Sequence, residues 1–207
     1  VPMARHVPLD ERRPQLIDAT IRVIAREGVA RATTRRIAEE ADASLASLHY
    51  GFANKEELFA AVAEHVVGRI DETLRARPAP EDRDLAGVVR DLLVFLHDEA
   101  VADPGLQAAQ FELIAWARRT PTHHHLAEQC HALFARSLVA TLGLATDAAG
   151  VPLAHLADLV MATTDGIAIR VLAGGPDVWA GTDFAALAAG LVAAAREYRP
   201  DGTGSAD

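Results

Sequence analysis

Residues 33–55 read TTRRIAEEADASLASLHYGFANK, and the fold follows from this stretch. Ile37, Ala38 and Ala41 give a short helix one apolar face at helical spacing. Asp42 comes next, where the chain must turn sharply and a left-handed backbone is needed; aspartate tolerates that conformation better than most residues. Ser44 can cap a second short helix. Leu48 anchors that helix inside, which leaves Leu45, Ala46, Ser47, His49 and Tyr50 to face outward. A short apolar helix, a sharp turn and a second helix with small or polar residues outward make a helix-turn-helix. Asn54 with Glu57 reads as a capping-box variant. It opens a further helix at Lys55, the only lysine in the chain.

Working outward, glycine and proline divide the chain into helix-length pieces. Asp10 is expected to cap a first helix, with Pro14 near its first turn. Leu16, Ile17, Thr20, Ile21 and Ile24 continue it and Gly28 ends it. Thr33 caps the second helix, which ends near Ala41; the third runs from Ser44 to Tyr50 or Gly51. The fourth reaches about Ala76 and is broken at Pro78–Pro80. Further helices are expected at about Asp84 to Ala102, Leu106 to Arg119, Thr122 to Leu142, Pro152 to Gly174 and Phe184 to Tyr198. There is no strand alternation and no internal repeat. The expected class is all-α with about nine helices. A tail at 201–207, PDGTGSAD without its proline, reads as disordered.

Composition supports this reading. Half of the 207 residues are hydrophobic and 5% are aromatic, with much alanine, leucine, arginine and glutamate, a mix that favours helices over strands. Cys130 is the only cysteine, so no internal disulfide can form and a cytoplasmic setting is expected. The opening VPMARHVPLDERR has no apolar core of a signal peptide, and no uncharged apolar run of about 18 residues offers a membrane span. The net charge of −9 is unevenly placed. Residues 1–58 carry nine basic and nine acidic side chains, whereas residues 59–207 carry 11 and 20. All the excess acid therefore lies outside the helix-turn-helix, so the charge balance does not exclude a nucleic-acid partner.

Over roughly residues 12–62 the chain resembles the TetR family of one-component transcriptional repressors. The residues that carry the resemblance are Gly28, Thr33-Thr34, Ile37-Ala38, Ala41, Ser44, Leu48, Tyr50, Phe52 and Lys55 with Glu57-Leu58, and more weakly Asp165-Gly166. Asp42, Ala46, His49 and Gly51 depart from the family pattern. They sit in the turn and the reading helix, so they bear on the operator sequence more than on the fold.

The resemblance implies a homodimer that places its third helix in the major groove of a double-stranded DNA operator. By residue match, Arg35, Leu45, Ala46, Ser47 and His49 are candidate base readers. Arg35 suits guanine O6/N7, and Leu45 or Ala46 suits a thymine methyl. Thr33, Thr34, Ser44, Tyr50 and Lys55 are candidate phosphate contacts, helped by free N–H groups at two helix starts. Taken alone, Arg35 and Arg36 would be ordinary solvated charges and Phe52 a core aromatic. Residues 1–54 would form the reader and 55–200 a dimerisation and effector body.

In that body the last two helices are apolar or small around most of their circumference, which requires burial on several sides. They are the expected dimer contact, with Ala188, Ala189, Gly190 and Ala193 permitting close approach. The resemblance also implies an effector pocket. Candidate lining residues are Phe95, Gln110, Phe111, Leu113, Ile114, Trp116, Phe134, Met161 and Thr164, a mix that suits a mainly apolar small molecule. No cofactor is expected.

A rival reading starts from His123-His124-His125. His124, Glu128 and His131 fall at i, i+4 and i+7 on one helix face, a spacing that metals use. A solvated polar face explains the same residues. Glu128-x-x-His131 is half of a di-iron carboxylate motif, but the second half is missing. HExxH, GxSxG, a phosphate loop and GxGxxG are also missing, so no catalytic residues are assigned.

Overall fold

The computed structural model describes residues 9–76 and 83–199; the expected break at Pro78–Pro80 and the 201–207 tail lie outside them. Among the described residues there are nine α-helices and no strand. They are α1 (Leu9–Glu27), α2 (Thr34–Glu40), α3 (Leu45–Gly51), α4 (Lys55–Ala76), α5 (Leu85–Ala102), α6 (Pro104–Arg119), α7 (His124–Leu142), α8 (Leu153–Gly174) and α9 (Phe184–Glu197). A 3-10 turn at Pro176–Trp179 joins the last two.

Some helix starts differ from the expected ones, for identifiable reasons. Asp10 lies inside α1 rather than ahead of it. The Asp103 carboxylate accepts the Leu106 N–H at 2.9 Å, so α6 begins at Pro104, where the missing proline N–H costs nothing. A turn closed by the His123 N–H on the Thr120 carbonyl delays α7 to His124. Pro152 stands just before α8 rather than in its first turn.

The helices form two compact units, Val1–Ile70 with Asp103–His131, and Asp71–Ala102 with Ala132–Asp207. In the first, α1 packs against α2, α3 and α6. Its core joins Leu16, Val23 and Ile24 of α1 to Ile37, Leu48, Phe52, Leu58, Phe59, Val62 and Leu113. Gly28 ends α1 at φ +81°, a conformation open to glycine. The Glu112 carboxylate of α6 sits over it and accepts the Val29 N–H at 2.6 Å.

In the second unit, α5 packs on α8 and α9 around Leu85, Leu92, Leu93, Leu156, Val160 and Val192. Asp147 ties the loop before α8 to both neighbours. It accepts the Leu85 N–H at 2.7 Å and pairs with Arg196 of α9. The Leu85 amide above all holds its carboxyl below the usual aspartate range. At the end of α8, Gly174 leaves room that Val178 fills; a Cβ there would collide with it.

Candidate nucleic-acid interface and apolar cavity

The ends of α2, α3 and α4 are each closed by a side chain from the stretch that opens the sequence analysis. Thr33 Oγ1 accepts the Arg36 N–H at 3.2 Å, and Ser44 Oγ accepts the Ser47 N–H at 3.0 Å. Asn54 Oδ1 accepts the Glu57 N–H at 2.7 Å, while the Glu57 carboxylate reaches back to the Ala53 N–H at 2.8 Å. Each such cap stabilises its helix by about 1 kcal/mol. Between α2 and α3, Asp42 takes φ +47°. The Ala43 N–H then reaches the Ala38 carbonyl at 2.9 Å and the Asp42 N–H reaches that of Glu39 at 3.2 Å, which is a Schellman closure with aspartate in the usual glycine place.

Leu48 is fully buried and fixes which side of α3 faces the core. The opposite side presents Ala46 and His49 with Leu45 (43% exposed) and Tyr50 (78%); Ser47 is half-buried. Thr33, Ser44 and Arg35 are also exposed, and Thr34 and Lys55 are half-buried. Phe52 is buried in the core, as its plain reading has it.

The arginines divide into two kinds. Arg35 makes one exposed i,i+4 pair, with Glu39 at 3.2 Å. Arg36 is committed to bracing: it bonds Glu27 at 2.8 Å and Glu40 at 3.3 Å. The Glu27 bond above all raises the Arg36 pKa above the ordinary arginine value. Arg22 and Arg26 of α1 grip the same Glu40 and hold its carboxyl below the usual glutamate range. Sequence reasoning missed Arg13. Its guanidinium lies 4.2 Å from the Phe52 ring centre, donates to the Gly51 carbonyl at the end of α3, and stands 3.6 Å from Glu57. One arginine of α1 thus fixes the end of α3 and the start of α4. Nothing in its spacing marks it, because its partners are far away in sequence.

In the same unit, α4, α6 and α7 line a partly open apolar cavity of about 30 Å³. Its lining includes four of the residues read from sequence, Gln110, Leu113, Ile114 and Trp116. The other lining residues are Ala63, Val66 and Val67 of α4, Ala117 of α6, and Leu126, Ala127 and Cys130 of α7. The i, i+3, i+4 spacing of the α4 set and the i, i+4 spacing of Leu126 and Cys130 could have found them. Phe111 is not part of this lining. Phe95, Phe134, Met161 and Thr164 belong to the other unit, where Met161 and Thr164 are buried. Gln110 Oε1 is buried with no hydrogen-bond partner. Burial first, then the negative charge of Glu64, pushes the Cys130 thiol up.

In the second unit, the outer side of α9 exposes Ala185, Ala186, Ala189, Gly190, Ala193 and Ala194, and α8 exposes Ala162, Gly166, Ile169 and Leu172. Ala189, Gly190 and Ala193 are therefore exposed. Ala188, expected beside them, is not: it is fully buried within its own unit, because it sits on the α9 side that also carries Val192 and Ala195.

The histidine face has other attachments. His124 Nδ1 lies 2.7 Å from the Pro121 carbonyl and Glu128 stands 3.5 Å from Arg118. Among the described residues no three His, Cys, Asp or Glu side chains come together as a metal-ligand set, and no helix is long and apolar enough to cross a membrane.

Comparison with known proteins points one way. The family described as bacterial regulatory proteins, tetR family, matches residues 16–62. The nicotine-responsive transcriptional repressor HdnoR of Paenarthrobacter nicotinovorans is 36% identical over 128 residues, 62% of this chain and 66% of that protein. The transcriptional regulator TtgR of Pseudomonas putida is 34% identical over 45% of this chain and 44% of its own. The chain thus matches less than two thirds of the length of these relatives. Among solved structures, the multidrug binding protein EbrR complexed with imidazole is 28% identical, with a TM-score of 0.65 over 97% of this chain and 99% of that one. GusR of Salmonella enterica, 21% identical, shares the fold with a TM-score of 0.71 over 93% of this chain and 100% of its own. Capped helices, the Asp42 turn, the outward face of α3 and these likenesses agree: residues 16–62 carry the helix-turn-helix domain of the TetR family, and the chain is similar to transcriptional regulators of that family.

Proposed function

We propose that this protein is a homodimeric, sequence-specific DNA-binding regulator, a repressor released from a near-palindromic operator by a mainly apolar small molecule. The observation that carries the reading is the outward face of α3, a helix capped by Ser44, anchored by Leu48, and exposing Leu45, Ala46, His49 and Tyr50. Residues 1–54 read the DNA; the remainder carries dimerisation and effector binding, in a cytoplasmic protein. Arg35 can leave Glu39 for a guanine. An exposed i,i+4 pair contributes roughly 0.3–0.5 kcal/mol, whereas a bidentate guanine contact discriminates by about 1–3 kcal/mol. Thr33, Thr34, Ser44, Tyr50 and Lys55 hold phosphates. The small-residue face of α9, with Ile169 and Leu172 of α8, is the dimer contact. It meets a physical need, since two readers about one DNA turn apart recognise a near-palindrome that one short helix cannot hold.

The effector site is the α4–α6–α7 cavity. Its apolar walls and the unpartnered Gln110 oxygen suit an apolar ligand with one hydrogen-bond donor. Such a ligand releases DNA only by binding the non-DNA geometry more tightly. HdnoR is nicotine-responsive by name, and EbrR has been solved with imidazole and with malachite green; these are reasonable compounds to screen first. The test is duplex binding as a function of salt. Lys55→Ala should weaken binding to all sequences alike and lower the salt slope by about one unit. An unchanged slope rejects the phosphate role of Lys55.

A further inference from the structure

The cavity is too small for the ligand it would serve, and this points to how occupancy is sensed. A volume of about 30 Å³ holds little more than one water, whereas a site that takes benzene needs on the order of 150 Å³. An organic occupant seated fully between the three helices must push a wall aside. The largest wall residue is Trp116. Its ring meets that of Phe59 edge-on, with centres 5.1 Å apart and planes at 82°. Phe59 is fully buried on α4, one helical turn beyond Lys55, and Lys55 Nζ lies 4.8 Å from its ring centre. These groups form one contiguous chain inside a single compact unit, from the cavity wall to the lysine at the start of α4.

We infer that Trp116 and Phe59 are positioning residues through which filling of the α4–α6–α7 cavity displaces the Lys55 ammonium. The inference rests on the proposed function for its consequence, release of DNA, but not for its geometry. The Phe59 face attracts the cation and sets where it stands. If Trp116 moves, the Phe59 ring must turn or shift, because close-packed rings leave no slack between them. The burial that accompanies this seat holds the Lys55 pKa below the ordinary lysine range, against the opposing pull of Glu56.

The chain contains one lysine, so isotope-labelled reductive methylation leaves a single side-chain methyl signal beside that of the terminal amine, and the ammonium keeps its charge. In the full-length protein the Lys55 methyl resonance should lie upfield of free dimethyl-lysine because of the Phe59 ring current. Phe59→Leu should return it toward the free position; Trp116→Phe, which keeps an aromatic ring in the wall, should shift it by less. Ala127→Leu fills the cavity from α7 while leaving both rings of the aromatic pair unsubstituted, and serves as the occupant. It should move the Lys55 signal and lower the salt slope of duplex binding by about one unit, and should lower it no further in a Lys55→Ala background. An Ala127→Leu protein that is folded but whose Lys55 signal is unmoved overturns the inference, as does a wild-type signal at the free position. A signal that moves as described in a protein without duplex affinity supports the relay and rejects the proposed function instead.

Discussion

The Thr33–Lys55 segment and the α8–α9 pair both send large side chains into a core, yet their outward surfaces are set by different physics. In the first, Thr33, Ser44 and Asn54 each accept a backbone N–H, Asp42 turns the chain, and Glu27, Glu40 and three arginines brace α2 against α1. In the second, Pro152 gives α8 no side-chain cap, Asp183 closes only the start of α9, and the outer surface is a run of alanines with Gly166, Ile169 and Leu172. Polar closure is short-ranged and directional, so it fixes a shape on its own. Apolar surface states only that something must cover it.

Substitutions can break that contrast. The largest effect is expected from Ala189→Arg on the exposed face of α9, which should give folded monomers without operator binding, read by sedimentation and by duplex titration; retained dimers would move the interface elsewhere. Leu48→Ala removes the one fully buried side chain that α3 sends into the core and should cost about 2–5 kcal/mol in denaturant unfolding, with dimerisation kept if α8–α9 is the contact. Ser44→Ala should cost roughly 1 kcal/mol, measured the same way, and a change near zero would mean that the cap bond has no net worth. Asp42→Gly should raise stability by about 1 kcal/mol by relieving the left-handed strain. The smallest effect concerns acid. Glu40 is held below the usual glutamate range by hydrogen bonds from Arg22 and Arg26. Its contribution is complete above the ordinary glutamate pKa and is lost as pH falls through the lowered value. Glu40→Gln should therefore flatten the acid limb of stability against pH, and an unchanged limb would remove Glu40 from it.

The same contrast explains what was legible in the sequence. The caps Thr33, Ser44 and Asn54 and the left-handed Asp42 are readable because each acts within a few residues of its partner, and the buried Leu48 because small and polar residues surround it on α3. Pro104 and the 3-10 turn at Pro176–Trp179 show the limit, since the choice between loop and helix start there depends on Asp103 capping and on Val178 filling the space above Gly174. Arg13 and Glu112 act on partners 38 and 83 residues away and carry no local signature. Ala188 and Ala189 are adjacent and chemically identical, and only the packing of α9 makes one buried and the other exposed. For the cavity, the α6 residues are legible in their mix of ring, amide and aliphatic groups, whereas Ala63 shows only through its helical spacing with Val66 and Val67 and Ala127 carries no signal of its own.

The most direct measurement is selection of bound sequences from random duplex DNA by the full-length protein at near-physiological salt. Enrichment of a near-palindrome by the wild type, lost with Tyr50→Ala and Lys55→Ala, is the expected result, and the recovered operator would then serve to screen effectors. Failure of a folded, ligand-free dimer to enrich any sequence would contradict the assignment of α3 as a reading helix.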